Sequence, residues 1–388
     1  MKLKNKIVVF FEVLFILAIP YLWSINYIEK IIGSNIVLIW CWRLAYILRV
    51  LLLFHLLLLV LKRFYINVIK ANLPDKKANK KLLSTTLISI FIFAEIVFSF
   101  VPQSQGNGQV DLGQRLWQAY FGKPINELGY RDNELKGRIN SNKKKLIFLG
   151  DSFTYGSGIE NYQDRYSDII KNRVGVSFEV FNLGKCQSDT RDELERLKAF
   201  QAKPDVLILQ YFHNDIIPVG MRYGYFDYRE SKKNSQTKLL NTLIIPFKSS
   251  FFLNFLFVNV GNKLVSSLYS SWYKNDINES FKNKYCLEEH TRDIEDLIHY
   301  CQIKEIKLYV LFIPDLTDIE YTQTIYSDKI VPVLKKENIA FVYIADCLKG
   351  YAADKLLVNA VDMHANEFVQ KIIAEQLLLA IPELREKK

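Results

Sequence analysis

A serine, a histidine and an aspartate, far apart in the chain, are the residues whose types and settings could do chemistry. Ser152 follows the apolar run 146–149 in "KKKLIFLGDSFTYGSGI". Gly-Asp is ordinary punctuation after a strand, yet this turn also sets a hydroxyl at the strand's C-terminal end. A serine hydroxyl is a poor nucleophile until a base takes its proton, and the base needs a third group to orient it. Of the five histidines, His55 lies in an apolar run, His290 and His299 share one helical stretch, and His213 stands in "FHND". His364, in "VDMHAN" before the last helical stretch, is the available base, and Asp362, two residues earlier, can carry the orienting carboxylate. Acyl transfer through a serine also needs donors aimed at the developing oxyanion. The backbone N–H groups of Ser152 and Gly184, with the side-chain amide of Asn214, would supply three.

The elements that must position these residues read as alternating strand and helix. Apolar runs at 145–149, 177–183, 205–212, 306–313 and 339–345 predict strands, and amphipathic stretches near 163–174, 188–201, 288–303, 326–337 and 366–380 predict helices. Such alternation predicts a parallel sheet with helices on both faces, and continuous apolar strands suit a sheet covered on both sides. In an open parallel sheet, ligands bind beyond the C-terminal strand ends. Ser152 follows the first strand, Gly184 the second and Asn214 the third.

Those four positions together resemble the SGNH, or GDSL-type, hydrolase superfamily over about residues 143–382. The resemblance rests on "GDS" after strand one, the glycine of "FNLGKCQ" after strand two, "ND" after strand three and Asp/His before the last helix. It implies a three-layer α/β/α sandwich, flavodoxin-like, with a five-stranded parallel sheet. It also implies a nucleophile at Ser152, a base at His364, an acid at Asp362 and an oxyanion hole from Ser152, Gly184 and Asn214. The chain departs from the pattern twice. Phe212 stands where the third block usually has glycine, which narrows the pocket or tilts the turn. Val361 stands where an Asp-x-x-His block would carry its acid, and the Asp-x-His spacing resembles that of alginate-type O-acetyltransferases and other membrane-tethered SGNH proteins.

Neighbouring residues have plainer readings. Asp151 and Asp215 are expected to stabilise turns, Asn182 and Cys186 to pack, and His213 to lie at the surface or the substrate rim. Asn126, Gly129 and Arg131 resemble a segment upstream of the GDS motif in membrane-tethered relatives, and a structural role is expected of them. Five cysteines are too few for a disulfide scaffold, and Cys286 and Cys301 are read as buried free thiols on one helix. No pair stands at metal-ligand spacing, and neither metal nor cofactor is expected.

The chain's charge of +10 is concentrated at one end. Residues 1–100 hold ten Lys and three Arg against four carboxylates, a net of +9, which leaves +1 for the other 288 residues. A nucleic-acid groove on the main domain is therefore not expected. Residues 1–101 instead read as a membrane anchor with spans at about 7–28, 36–61 and 82–101. Lys/Arg bias puts the N-terminus and the 62–81 loop in the cytoplasm, so three spans deliver the remainder outside. Arg43 and Glu95, at similar depth, are expected to pair. Residues 102–142 read as a linker and N-terminal extension, and 217–285 as an insertion in the 143–382 domain. Two readings of that insertion stand: it lies over the site on the membrane surface, or it packs as a second small core.

The expected activity is that of a membrane-tethered extracytoplasmic serine esterase removing acyl groups, acetyl first among them, from a cell-surface glycan or related ester. The alternative is an O-acyltransferase in which a sugar hydroxyl replaces water, served by a multi-span membrane acyl donor protein. A non-catalytic scaffold for an exopolysaccharide machine is the third class.

Overall fold

The computed structural model describes residues 87, 90–91, 93–106, 112–224, 250–261 and 273–385. Among them no helix is long and apolar enough to cross a membrane. The expected spans at 7–28 and 36–61, and part of that at 82–101, lie outside the described residues, as does Arg43 of the expected Arg43–Glu95 pair. The chain divides into two compact units, residues 1–101 and 102–388.

In the second unit the five apolar runs become β1 (Lys144–Leu149), β2 (Phe178–Asn182), β3 (Val206–Tyr211), β4 (Lys307–Phe312) and β5 (Ala340–Tyr343). They form one parallel sheet in the order β2-β1-β3-β4-β5. Successive strand side chains point to opposite faces, so the runs feed two cores. Ile147, Leu149, Leu207 and Leu209 enter one, and Leu146, Phe148, Val206 and Ile208 enter the other. The strand order reverses between β1 and β3, the switch point where a crevice opens at the carboxyl edge.

The helices begin with α1 (Leu112–Phe121), α2 (Ser152–Tyr155), α3 (Tyr166–Val174), α4 (Thr190–Ala199) and α5 (Ile216–Arg222). They continue with α6 (Phe251–Leu256), α7 (Lys284–Ile303), α8 (Ile319–Ile325), α9 (Val331–Lys336), α10 (Ala345–Leu348) and α11 (Glu367–Ala380). A π-turn over Tyr326–Ile330 joins α8 to α9, so the helical stretch expected at 326–337 begins earlier and is broken. Helix α1 falls where the sequence predicts a linker and extension. It buries Leu112, Leu116 and Trp117 on one side and packs against α6 of the insertion. The described parts of the insertion are packed: Phe251, Asn254 and Val258 are buried, and Ile277 and Phe281 join the core of one sheet face. Cys286 and Cys301 are both buried, unpaired thiols on α7.

The upstream segment is an anchor for the loop behind the nucleophile. Arg131 is fully buried and donates to the carbonyls of Gly156 (2.7 Å), Ile159 (2.7 Å) and Phe121 (2.5 Å). Its guanidinium lies 5.4 Å from the Trp117 ring centroid and 5.6 Å from that of Tyr155. The Asn126 side chain accepts the Leu128 and Tyr130 N–H groups and closes the turn before it.

Candidate active site

Ser152 opens the one-turn helix α2 directly beyond β1. The Asp151 side chain caps that turn, accepting the Phe153 N–H at 2.8 Å, and the Asp151 N–H donates to Gln210 Oε1 at 3.1 Å. Asp151 is buried, which pushes its carboxyl up to about 6 against the pull of the Phe153 N–H and the His364 imidazole. It serves the turn, as its type predicts.

The base and acid arrive on a loop tied shut at its neck. Leu357 and Ala365 form an antiparallel bridge, and the Val358 N–H donates to the His364 carbonyl at 3.0 Å. Asn359 Oδ1 accepts the Val361 and Asp362 N–H groups, each at 2.9 Å, and Asn366 caps α11 just beyond. Within this loop His364 Nε2 stands 2.7 Å from Ser152 Oγ, and His364 Nδ1 stands 2.5 Å from Asp362 Oδ1. The short Asp-x-His spacing adds a contact: the His364 backbone N–H also donates to Asp362 Oδ1, at 3.1 Å. Burial disfavours the imidazolium, but the Asp362 carboxylate and its hydrogen bond outweigh that, so His364 titrates above its ordinary value. Asp362 is fully buried, which favours its neutral form. The imidazole and the Ser104 hydroxyl outweigh that and hold its carboxyl below the usual range. Ser152, His364 and Asp362 are thus brought together as a Ser–His–Asp triad, an arrangement with which serine hydrolases attack ester carbonyls.

The oxyanion side differs from expectation at Gly184. Its N–H donates to Asn182 Oδ1 at 2.9 Å and is committed there. Gly184 is instead a point of close approach, because a Cβ on it would overlap the Tyr155 nitrogen and meet the Thr154 carbonyl carbon at 2.5 Å. Asn182, read as a packing residue, wires the end of β2 to the nucleophile turn. Its amide donates to the Thr154 carbonyl and to Ser167 Oγ, both at 2.7 Å. The Ser152 N–H has no protein acceptor among the described residues. Asn214 stands on the 3₁₀ turn beyond β3, at the same edge of the sheet, and its Oδ1 is buried with no partner among the described residues. Tyr273 of the insertion lies against the neighbouring His213, with ring centroids 6.4 Å apart, so part of the insertion does reach the site.

Two further residues behave differently from their plain readings. His213 is fully buried, not at the surface or rim, and burial lowers its imidazole to about 4. The 3₁₀ turn rotates it inward against Tyr273 and Tyr326, with its N–H on the Tyr326 hydroxyl at 3.1 Å. Tyr326 lies 113 positions further along, so no local signal could reveal that cover. Phe212, at the position usually glycine, is buried with its ring centroid 4.7 Å from that of Phe153, which in turn lies 5.0 Å from the His364 ring. Phe212 therefore backs Phe153, whose ring is tilted against that of the base. Asp215 is buried beside Glu193 and Asp151, where burial first and those carboxylates next raise it well above the carboxylate range. Cys186 is exposed, with its sulfur 3.4 Å from Ser157 Oγ.

Ser104 is the functional residue missed in the sequence. Its hydroxyl donates to Asp362 Oδ2, from a segment whose polar composition signals only a linker. Among the described residues no group of His, Cys, Asp and Glu could hold a metal ion.

No protein-family profile matches the chain, and no curated protein matches it. Among solved structures the chain is similar to TesA, at 14% identity over 62% of this chain and 100% of that one, with a TM-score of 0.39. It is similar to the psychrotrophic esterase EstA from Pseudoalteromonas, at 12% identity over 62% and 98% with a TM-score of 0.37. It is also similar to the acetyl xylan esterase AlAXEase, at 13% identity over 61% and 99% with a TM-score of 0.37.

Proposed function

We propose that the protein is a membrane-tethered serine esterase of the SGNH type that removes acetyl or similar acyl groups from an envelope glycan. The observation that carries the chemistry is the continuous hydrogen-bond chain from Ser152 Oγ through His364 to Asp362, at 2.7 and 2.5 Å. Ser152 Oγ attacks the ester carbonyl while His364 Nε2 takes its proton. The developing oxyanion is received by the Ser152 N–H and the Asn214 side-chain amide. Collapse of the tetrahedral intermediate expels the alcohol, protonated by His364, and leaves an acyl group on Ser152. Water, deprotonated by His364, then attacks that acyl carbonyl and releases the acid and the free serine. Asp362 keeps the imidazole in the tautomer that presents a bare Nε2 and stabilises the imidazolium that forms in each half.

The substrate class follows from location. The apolar runs of residues 1–101 and their Lys/Arg bias support a three-span anchor with the catalytic unit outside, where acylated envelope saccharides are met. A reporter fused after residue 110 should be active only outside the cytoplasm. Full-length protein in membranes, given an acetylated oligosaccharide and excess unacetylated acceptor, should release free acetate in a Ser152-dependent way. Acetyl appearing on the acceptor instead would assign the same triad to an O-acyltransferase. Activity that survives Ser152→Ala would remove both readings.

A further inference from the structure

The short segment 104–106, some 250 residues before the triad acid in sequence, is shaped around that acid. Asp362 is fully buried, and its two oxygens have separate partners. Oδ1 takes both donors of His364, and Oδ2 takes the Ser104 hydroxyl, itself 4% exposed. The contact is closed from both sides. The Ser104 carbonyl accepts the Asn359 amide at 2.8 Å, and that same Asn359 holds the Asp362 N–H. Gln105, 1% exposed, is clamped by its side chain to Asn254 Oδ1 and by its N–H to Gln114 Oε1, each at 2.7 Å. Gly106 takes a left-handed φ of 61°, and a Cβ there would overlap the Asp362 carboxylate. Helix α1, the α6 helix of the insertion and the 358–364 loop thus converge on one strap.

We propose that Ser104 is a positioning residue of the triad and that residues 104–106 form a strap holding Asp362 in register with His364. A carboxylate turns freely about its Cβ–Cγ bond unless both oxygens are held. In a dry site the second oxygen would also be an anion without a donor, which is costly. The Ser104 hydroxyl satisfies that oxygen and fixes the plane of the carboxylate, so Oδ1 stays on the Nδ1–H line throughout the proton transfers. The strap begins where the residues read as the membrane anchor end, so the catalytic centre is complete only with the chain's juxtamembrane segment in place. The inference rests on the reading of Ser152, His364 and Asp362 as the triad.

The test uses full-length protein and three variants, Ser104→Ala, Ser104→Thr and Ser104→Val. Thr and Val fill the same volume and differ only in the hydroxyl. Ester hydrolysis should show kcat reduced about tenfold to a hundredfold in the Ala and Val variants, the factor for a hydrogen bond to a charged group. KM should stay within about twofold, and Thr should recover most of the turnover. Equal kcat in Thr and Val, or unchanged kcat in Ala, would overturn the assignment. If Ala alone fails to fold, the Thr–Val comparison still decides. Retained activity in Ser152→Ala would count against the triad itself, and an inactive Ser152→Ala beside a fully active Ser104→Val against the strap alone.

Discussion

Replacing Asp362 by Asn removes one charge and almost no volume, and the geometry dictates how the amide must sit. The oxygen at the Oδ1 position accepts from both His364 Nδ1–H and the His364 backbone N–H, so the amide carbonyl must take it. The NH₂ then faces Ser104, whose hydroxyl can rotate to accept. The His364 tautomer is therefore preserved, and the loss is one of charge. Two unit charges about 4 Å apart attract by about 4 kcal/mol at an effective dielectric of about 20. That stabilisation exists only while His364 is an imidazolium, so its loss falls on the transition state and lowers kcat/KM about a thousandfold. A flipped tautomer would cost about 10⁴-fold. The assay is hydrolysis of a chromogenic acetyl ester across pH. In the wild type, His364 titrates above its ordinary value because Asp362 outweighs burial, and activity rises with pH as the imidazole becomes neutral. In Asp362→Asn burial is opposed mainly by the Asp151 charge, the smallest of the raising causes, so the acid limb should move to lower pH on a lower plateau. A variant within tenfold of wild type, or an unmoved acid limb, would refute the coupling.

Gly184→Ala would put a Cβ into the backbone of the turn after the nucleophile, at Tyr155 and Thr154. It should cost about 1–3 kcal/mol of stability, as overpacking does, and slow turnover as Ser152 is displaced; an unchanged unfolding midpoint would show that the close approach is not required. Glu193 is fully buried, and burial pushes its carboxyl up to about 8 despite Arg196. A raised carboxylate gives stability that is present below its unfolded value near 4.5 and lost as pH climbs through about 8. Thermal unfolding should therefore fall across that window, and Glu193→Gln should reduce the fall; raised Asp151 and Asp215 act with the same sign and leave a residue. An identical pH profile for the variant would contradict that account.

The sheet and the triad were legible because their signals are local. Each strand is a continuous apolar run, a mark of burial on both faces, and Ser152, Asp362 and His364 stand at element boundaries within a few residues of the strand or helix that aims them. What stayed hidden depends on partners distant in sequence. Ser104 acquires its role only from Asp362, 258 positions away, and its polar neighbours read as a tether. His213 is buried by a tyrosine brought in on the π-turn between α8 and α9. Gly184 sits where an oxyanion donor is expected, but the Asn182 side chain two residues earlier captures its N–H, a competition between local partners that residue type does not reveal. Helix α1 escaped because Gly113 and Gln114 near its start resemble the polar linker before it, while its apolar residues cover too little length to mark a helix.

The central claim is that Ser152 is an activated nucleophile, and its most direct test is covalent labelling of the full-length protein with a fluorophosphonate probe, read by peptide mass spectrometry. The triad predicts one adduct, on Ser152, absent from Ser152→Ala and formed far more slowly in His364→Ala. No adduct on the folded wild type, or an adduct on another residue, would contradict it.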